Sequence, residues 1–200
     1  MPKNIKAVVY GLGPIGSLIA SLLLERKSLE VVGAIEIDPK KVNRDLGEVL
    51  SLNERVGVKV FHDGEAEKFL LETKPEIVLH STATYLDKIY PQLIKCLKAG
   101  ANIVSTSETL AYPWYRYPNL AASIDRIAKE HDATVLGAGV NPGFIFDVLP
   151  AFLSTTCVEI EGIRVVRSIN ASTRRYSFQR KYGLGLSPNE FARSLNKGKI

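Results

Sequence analysis

The chain has only two cysteines and three histidines among its 200 residues. Cys96 and Cys157 lie far apart and lack the close spacing of metal ligands, so we predict two reduced, mostly buried thiols and no metal site. No apolar run reaches the ~18–20 residues that would span a bilayer. Residues 1–6 contain neither the apolar stretch nor the cleavage site of a signal peptide, which predicts a cytoplasmic protein without membrane contact.

Acidic residues are scarce towards the end of the chain. Residues 151–200 contain nine lysines and arginines but only three acidic residues, whereas residues 1–150 carry almost no net charge. A basic segment is able to bind nucleic acid or a phosphorylated ligand. Here the basic residues are interspersed with Tyr, Ser and Gly and match no nucleic-acid motif. We therefore predict a solvated face, or a face exposed because its partner is missing, and no nucleic-acid partner.

Strand and helix patterns alternate along residues 1–137. Short β-branched stretches predict strands, and longer apolar or amphipathic stretches predict helices. The predicted strands are Ile5–Tyr10, Val31–Ile37, Val58–Phe61, Ile77–His80, Ile103–Ser105 and Thr134–Gly137. The predicted helices are Pro14–Arg26, Pro39 to about Leu50, Glu65–Glu72, Leu86–Leu97 and Leu120–Glu130. This alternation is typical of an α/β fold with a doubly wound parallel sheet covered on both faces.

The pattern changes after Gly137, at a junction rich in glycine and proline. We predict a dinucleotide-binding domain over residues 1–138 and part of a second, α+β substrate domain over residues 139–200. The second domain is expected to hold a helix over Phe144–Leu153, a strand over Val158–Ile169 and a capped helix that begins near Ser187. An unfinished second sheet would expose a strand edge, which favours pairing with another copy as a homodimer.

A G-x-G-x-x-G pattern connects the first predicted strand to the first predicted helix. Gly11 permits the tight turn, Gly13 lets a pyrophosphate approach the backbone, and Gly16 allows close packing of helix and strand. The amides at the start of the helix and the helix dipole attract phosphate charge. We therefore predict a Rossmann site for NAD or NADP, formed by Gly11, Gly13, Pro14, Ile15 and Gly16.

A carboxylate that binds the adenosine ribose is expected about 20 residues later, at the end of the second strand. Glu36 lies at that position, and Asp38 follows closely. A carboxylate there favours NAD, whereas Lys40, Lys41 and Arg44 would suit the 2′-phosphate of NADP. We predict that Glu36 binds the ribose, that NAD is preferred and that NADP is tolerated.

Polar residues also follow the fourth and fifth predicted strands. Ser81 and Thr82 leave room for the nicotinamide ribose, although such residues are also ordinary in loops. His80 is predicted to be a hydrogen-bonded structural residue. Glu108 precedes an aromatic cluster that includes Trp114, and a carboxylate beside apolar walls can bind a cationic amine or transfer protons. The alternative for Glu108 is a surface glutamate at the start of a helix.

Five segments resemble the 2,4-diaminopentanoate dehydrogenase and native amine dehydrogenase family, a more distant relative of dihydrodipicolinate reductase. They are GLGPIG at 11–16, IEIDPKKVNRDLGEVL at 35–50, STSETLAYPW at 105–114, GAGVNPGFIFDVLP at 137–150 and ASTRRYSFQRKYGLGLSPNEF at 171–191. The segments occur in the order expected for the family. The last three are far more specific than the glycine loop.

The resemblance implies an NAD(P)-dependent oxidoreductase that deaminates primary amines oxidatively or, in reverse, aminates ketones. It makes Glu108 the catalytic residue that handles ammonia and the amine nitrogen. It also places Asn141 at the nicotinamide boundary, and Phe144 and Tyr176 at the substrate pocket. Chains of this family are longer than 200 residues, so we expect either a fragment or a short form whose pocket another subunit completes.

Two other functions stay open. One is the reduction of a ring imine or carbonyl, as in dihydrodipicolinate reductase. That class uses a cluster of histidine and lysine in its second domain, and residues 139–200 contain no histidine. The other is a non-catalytic nucleotide-binding module, which would bind the dinucleotide without turnover.

Overall fold

The structure is a computed structural model that describes residues 4–174 and 176–198. The chain divides into two compact units, Met1–Val158 and Glu159–Ile200. The predicted domain boundary after residue 138 follows the end of the sheet rather than the end of the first unit, and it stays a prediction. Within the described ranges, each helix is too short or too polar to cross a lipid bilayer.

Six parallel strands form the sheet of the first unit. They are β1 (Ile5–Tyr10), β2 (Leu29–Glu36), β3 (Val60–His62), β4 (Ile77–His80), β5 (Asn102–Ser105) and β6 (Val135–Gly137). Their order across the sheet is β3-β2-β1-β4-β5-β6. The strand order reverses between β1 and β4, which confirms the predicted doubly wound sheet and places a ligand-binding crevice beyond the carboxyl ends of these two strands.

Helices connect the strands of the first unit. They are α1 (Pro14–Leu24), α2 (Leu46–Val49), α3 (Ala66–Thr73), α4 (Leu86–Lys98), α5 (Pro113–Arg116) and α6 (Pro118–Glu130). Short 3-10 helices precede α3 and follow β5, at Asp63–Glu65 and Glu108–Leu110. After β6, a π-helical turn continues into α7 (Leu149–Ser154), which confirms the helix predicted over Phe144–Leu153.

Two apolar clusters cover the two faces of the sheet. Successive residues of β1 point to opposite faces, so Val8 and Tyr10 join the cluster beneath α3, α4 and α6, whereas Val9 joins the cluster beneath α1 and α2. All three side chains are buried. Burial on both faces explains why the strands are continuous apolar runs rather than alternating patterns.

The helix predicted from Pro39 to about Leu50 is wrong over most of its length, because only Leu46–Val49 is helical. Asn43 adopts a left-handed φ of 62°, which interrupts a right-handed helix. Asp45 then accepts a hydrogen bond from the amide of Gly47 at 2.9 Å and begins α2 as its cap. The helix therefore begins at its capping carboxylate rather than at the proline.

The second unit contains a 3-10 turn at Ala171–Thr173 and the helices α8 (Tyr176–Lys181) and α9 (Pro188–Asn196). Helix α9 begins at the predicted capping box. The strand predicted over Val158–Ile169 is wrong, and with it the expected strand of a second α+β domain. A strand needs hydrogen bonds from a neighbouring strand, and the other regular segments described in this unit are helical.

Candidate functional site

The predicted phosphate loop lies between β1 and α1. Gly11 has a φ of +94°, and a Cβ built on Gly16 would overlap the carbonyl oxygen of Gly11, so a side chain is excluded at both positions. A Cβ built on Gly13 would meet no atom within 4 Å, which leaves the backbone open on that side. Pro14 begins the helix and Ile15 follows it. This combination of tight packing and open backbone fits a bound pyrophosphate.

Glu36 lies against the glycine loop. Its Oε2 accepts the amide of Leu12 at 2.7 Å, and its Oε1 accepts the amides of Ile37 at 2.7 Å and Asp38 at 3.2 Å. The ammonium of Lys41 donates to the carbonyl of Leu12 at 2.6 Å, so a cation lies beside the same loop. A carboxylate and a lysine therefore both border the position predicted for the adenosine ribose.

The loop after β4 is joined to the glycine loop. Ser81 Oγ donates to the carbonyl of Gly11 at 3.2 Å, which places the predicted nicotinamide-side residues next to the phosphate loop. The neighbouring Thr82 Oγ1 donates to Gln92 Oε1 at 2.6 Å. Ser81 therefore contacts the cofactor loop directly, while Thr82 is held from α4.

A polar cluster lies beneath these loops, around Asp63. The carboxylate of Asp63 accepts hydrogen bonds from Tyr10 Oη, from Lys95 Nζ at 3.2 Å and from Gln92 Nε2 at 3.4 Å. Burial acts to raise the pKa of Asp63, but these three hydrogen bonds together lower it below its ordinary value. Burial, followed by the hydrogen bond to Asp63, raises the pKa of Tyr10. At neutral pH, Asp63 is a carboxylate and Tyr10 a neutral donor.

His80 is fully buried at the end of β4. Its Nδ1 lies 2.9 Å from Ser105 Oγ, and its Nε2 lies 2.9 Å from Gln92 Oε1. Burial lowers the pKa of His80 to about 4, so the ring is neutral at pH 7. These contacts confirm the predicted structural role of His80.

Glu108 lies on the short helix after β5, and the segment around it is anchored on two sides. Ser107 Oγ donates to the carbonyl of Thr84 at 2.8 Å, and Thr109 Oγ1 accepts the amide of Leu86 at 2.8 Å. On the other side, a Cβ built on Gly137 would lie only 2.5 Å from the carbonyl oxygen of Leu110, so β6 packs tightly against this turn. The backbone that carries Glu108 is therefore fixed between the loop that follows β4 and the end of β6.

The predicted substrate-side residues lie after the sheet. Asn141 and Phe144 follow β6, so they share the carboxyl edge of the sheet with Glu108. The turn that contains Asn141 is closed by the amide of Phe144, which donates to the carbonyl of Gly139 at 2.8 Å, and the amide of Gly143 donates to Asp147 Oδ2 at 2.7 Å. Phe144 is 54% exposed. Tyr176 lies in the second unit, at the start of α8, with its side chain 77% exposed.

Asp63, Gln92 and Lys95 are not among the residues predicted from the sequence. The sequence does contain a signal for Gln92, which lies three residues after the buried Ile89 and four before the buried Cys96 on the apolar stripe of α4. A polar residue on such a stripe is expected to hold a buried hydrogen bond. Within the described part of the chain, no group of histidine, cysteine and acidic residues could hold a metal ion. Of the two thiols predicted to be mostly buried, Cys96 is buried but Cys157 is exposed, so that prediction is wrong for Cys157.

The chain is similar to several known proteins, although no family model matches it. A 2,4-diaminopentanoate dehydrogenase of Acetoanaerobium sticklandii is 29% identical over 200 residues, which cover 99% of this chain and 56% of that protein. An amine dehydrogenase of Streptomyces virginiae is 29% identical over 190 residues, which cover 91% of this chain and 51% of that protein.

A solved structure of an amine dehydrogenase from Mycobacterium smegmatis is 37% identical to the chain, with a TM-score of 0.70. The match covers 77% of this chain and 45% of that one, so the chain spans about half the length of the relatives it matches. These similarities confirm the resemblance to the 2,4-diaminopentanoate dehydrogenase and amine dehydrogenase family, and they confirm the Rossmann fold.

Proposed function

We propose that the protein is an NAD(P)-dependent oxidoreductase that acts on primary amines. The amine is oxidised to an imine, and hydrolysis of the imine releases a ketone and ammonia; the reverse direction is reductive amination. The observation that carries the proposal is a carboxylate, Glu108, on an anchored turn at the sheet edge where the glycine loop also lies. The similarity to amine dehydrogenases supports the choice of substrate class.

The chain's own residues suit a dinucleotide. The open backbone at Gly13 and the amides that begin α1 would hold the pyrophosphate, and Glu36 would accept the hydroxyls of the adenosine ribose. Ser81, Thr82 and Asn141 would border the nicotinamide side. When bound, the dinucleotide accepts or supplies the hydride.

The balance between NAD and NADP depends on two opposite charges at the glycine loop. The carboxylate of Glu36 would repel a 2′-phosphate, whereas the ammonium of Lys41 would attract one. Glu36 uses both of its oxygens on loop amides, which holds its negative charge in place. We therefore propose that the protein prefers NAD but also binds NADP.

Glu108 would serve as the acid–base group. Its carboxylate would accept a proton from the ammonium form of the substrate, stabilise the cationic iminium and assist attack by water. Phe144 is proposed to offer an apolar surface to the rest of the substrate. The assignment of Tyr176, in the second unit, to the substrate pocket stays a prediction from the sequence. The homodimer and the cytoplasmic location predicted from the sequence stay predictions.

The experiment incubates the protein with NAD⁺ or NADP⁺ and a panel of primary amines, and follows formation of the reduced cofactor. We expect Glu108→Gln to keep the cofactor affinity and to lower amine turnover by ~10²-fold or more. Gly13→Val is the matched variant, which fills the open backbone site and should abolish cofactor binding itself. Unchanged turnover in Glu108→Gln would remove Glu108 from the chemistry. Cofactor binding without turnover of any amine would instead indicate a binding module.

A further inference from the structure

A chain of hydrogen bonds crosses the carboxyl edge of the sheet beneath the loops. It begins at Asp63 after β3, passes through Gln92 on α4 and His80 at the end of β4, and reaches Ser105 at the end of β5. The last link is Ser107, whose amide donates to Ser105 Oγ at 3.2 Å. Ser107 immediately precedes Glu108, so this series of hydrogen bonds connects three strand ends to the proposed catalytic turn.

In the first hydrogen bonds of this series, the donor and the acceptor are fixed. The ionised carboxylate of Asp63 only accepts hydrogen bonds, so the amide nitrogen of Gln92 faces it at 3.4 Å. The amide oxygen of Gln92 must then point the other way, towards Thr82 Oγ1 at 2.6 Å and His80 Nε2 at 2.9 Å. Asp63 thereby determines the orientation of the Gln92 side chain.

The donor and acceptor roles at His80 follow from those of Gln92. Because Gln92 Oε1 only accepts, His80 must carry its proton on Nε2, which leaves Nδ1 as an acceptor. The hydroxyl of Ser105 then donates to Nδ1 at 2.9 Å, and its oxygen is left to accept the amide of Ser107. Ser105 is completely buried and Ser107 is 3% exposed, so water cannot easily replace either bond.

We propose that Gln92 and His80 are positioning residues that hold the turn carrying Glu108. Each bond in this series fixes the direction of the next. Without Gln92, His80 Nε2 would keep Thr82 Oγ1 at 3.1 Å, and because a hydroxyl can donate or accept, it would no longer fix the tautomer of His80 or the direction of the Ser105 hydroxyl. The hydroxyl of Ser107 would then keep its hydrogen bond to the carbonyl of Thr84, but the amide of Ser107 would lose its hydrogen bond to Ser105 Oγ. The effect of these hydrogen bonds on catalysis rests on the proposed function, whereas their effect on the position of the Glu108 turn does not.

The first measurement is made on the unaltered protein, with one variant used only to assign the signals. ¹⁵N NMR of the histidines identifies the protonated nitrogen of each ring, and a spectrum of His80→Asn assigns the signals of His80 among the three histidines of the chain. We expect the proton on Nε2 of His80 at neutral pH. A proton on Nδ1 would reverse the direction of the chain and overturn the proposal. This result stands even if variants at position 92 fail to fold.

The second measurement uses Gln92→Met, which keeps the length of the side chain but cannot form hydrogen bonds. Hydrogen exchange should become about tenfold faster in the amides of residues 105–111, as expected for loss of one buried hydrogen bond, and should stay unchanged in β1. Lys88→Met, at an exposed position of α4, is the control and should change neither segment. Equal exchange of residues 105–111 in Gln92→Met and in the unaltered protein would contradict the proposal.

Measurement of amine turnover distinguishes the positioning role of Gln92 and His80 from the proposed amine dehydrogenase activity. If amines are substrates, Gln92→Met should lower kcat about tenfold, through displacement of the carboxylate, while the cofactor still binds. Faster exchange with an unchanged kcat would show that the turn moves without affecting catalysis, which would overturn the positioning role. Faster exchange in a protein that turns over no amine would support the placement and reject the proposed function.

Discussion

The first unit has a core of buried large apolar side chains around its sheet, whereas the second unit exposes most of the large apolar side chains that the structure describes. In the first unit, side chains such as Tyr10, Leu93 and Ile103 are at most 1% exposed. In the second unit, Val166 is 82% exposed and Leu195 is 55% exposed. The contrast indicates that tertiary packing determines the structure of the first unit, and that local interactions determine the helices of the second.

Those local interactions are hydrogen bonds between side chains and the nearby backbone. Asn170 Oδ1 accepts the amide of Ser172 at 3.0 Å, and Gln179 Nε2 donates to the carbonyl of Arg174 at 2.6 Å. At the start of α9, Glu190 Oε2 accepts the amide of Ser187 at 2.9 Å. Substitutions in the two units should therefore act through different physical causes and with different magnitudes.

Among the substitutions that test stability, the largest expected effect comes from adding one methyl group where the first unit is most tightly packed. The Cβ of Gly16→Ala would overlap the carbonyl oxygen of Gly11, so α1 and β1 must move apart. We expect the free energy of unfolding to fall by about 3 kcal/mol. Trp114 is the only tryptophan and lies in the first unit, so its fluorescence during urea unfolding measures this loss.

Gly162→Ala is the matched substitution in the second unit. A Cβ at this position meets no atom within 4 Å, and its backbone is outside the left-handed region. We expect a change of less than ~1 kcal/mol, with a slight gain because alanine restricts the unfolded chain. A similar loss of stability in both variants would mean that the contrast in packing between the two units is wrong.

Buried apolar patterns made much of this fold predictable. The bounds of β1 and β4 were predicted to the residue, because each is a short apolar run bounded by turns. The strand over Val158–Ile169 failed because a pattern of β-branched residues indicates a preference and does not supply a partner strand. The helix from Pro39 failed because a left-handed residue, Asn43, outweighs a favourable start.

The candidate site was predictable in part for the same reason. Glycine spacing and strand ends are local patterns, so the loop at Gly11 and Gly16 and the position of Glu36 follow directly from the sequence. Asp63 and Gln92 are 29 residues apart, and their hydrogen bond depends on how α4 packs over the sheet. No local sequence pattern specifies that Asp63 and Gln92 come into contact, although a polar residue on the apolar stripe of α4 was a usable signal.

A buried histidine should make the first unit sensitive to acid, whereas the second unit has no histidine. The pKa of His80 is lowered from 6.5 to about 4 in the folded protein, so the unfolded chain binds more protons between these two values. This contribution to stability is complete above pH 6.5 and is lost as the pH falls to about 4, by about 3 kcal/mol in total. Urea unfolding of Trp114 from pH 7 to pH 4 measures it.

His80→Asn is the variant that tests this assignment. Asparagine keeps an acceptor near the position of Nδ1 but does not titrate, so the stability of the variant should depend less on pH between 6.5 and 4. At pH 7 the variant should be less stable, because the bond to Gln92 is lost. An equally steep loss of stability in both proteins would assign the acid sensitivity to other groups.

The smallest expected effect lies at the capping box of α9. Ser187→Ala removes the hydroxyl that accepts the Glu190 amide and donates to the Glu190 carboxylate, and it also removes the main cause of the lowered pKa of Glu190. Loss of such a cap costs about 1 kcal/mol, so hydrogen exchange in residues 188–196 should become roughly fivefold faster. Ser194→Ala, inside the same helix, should act in the opposite direction, because alanine has the higher helix propensity. If Ser187→Ala left exchange unchanged, the helix would depend on something other than its cap, and the contrast between packed and locally stabilised units would not extend to α9.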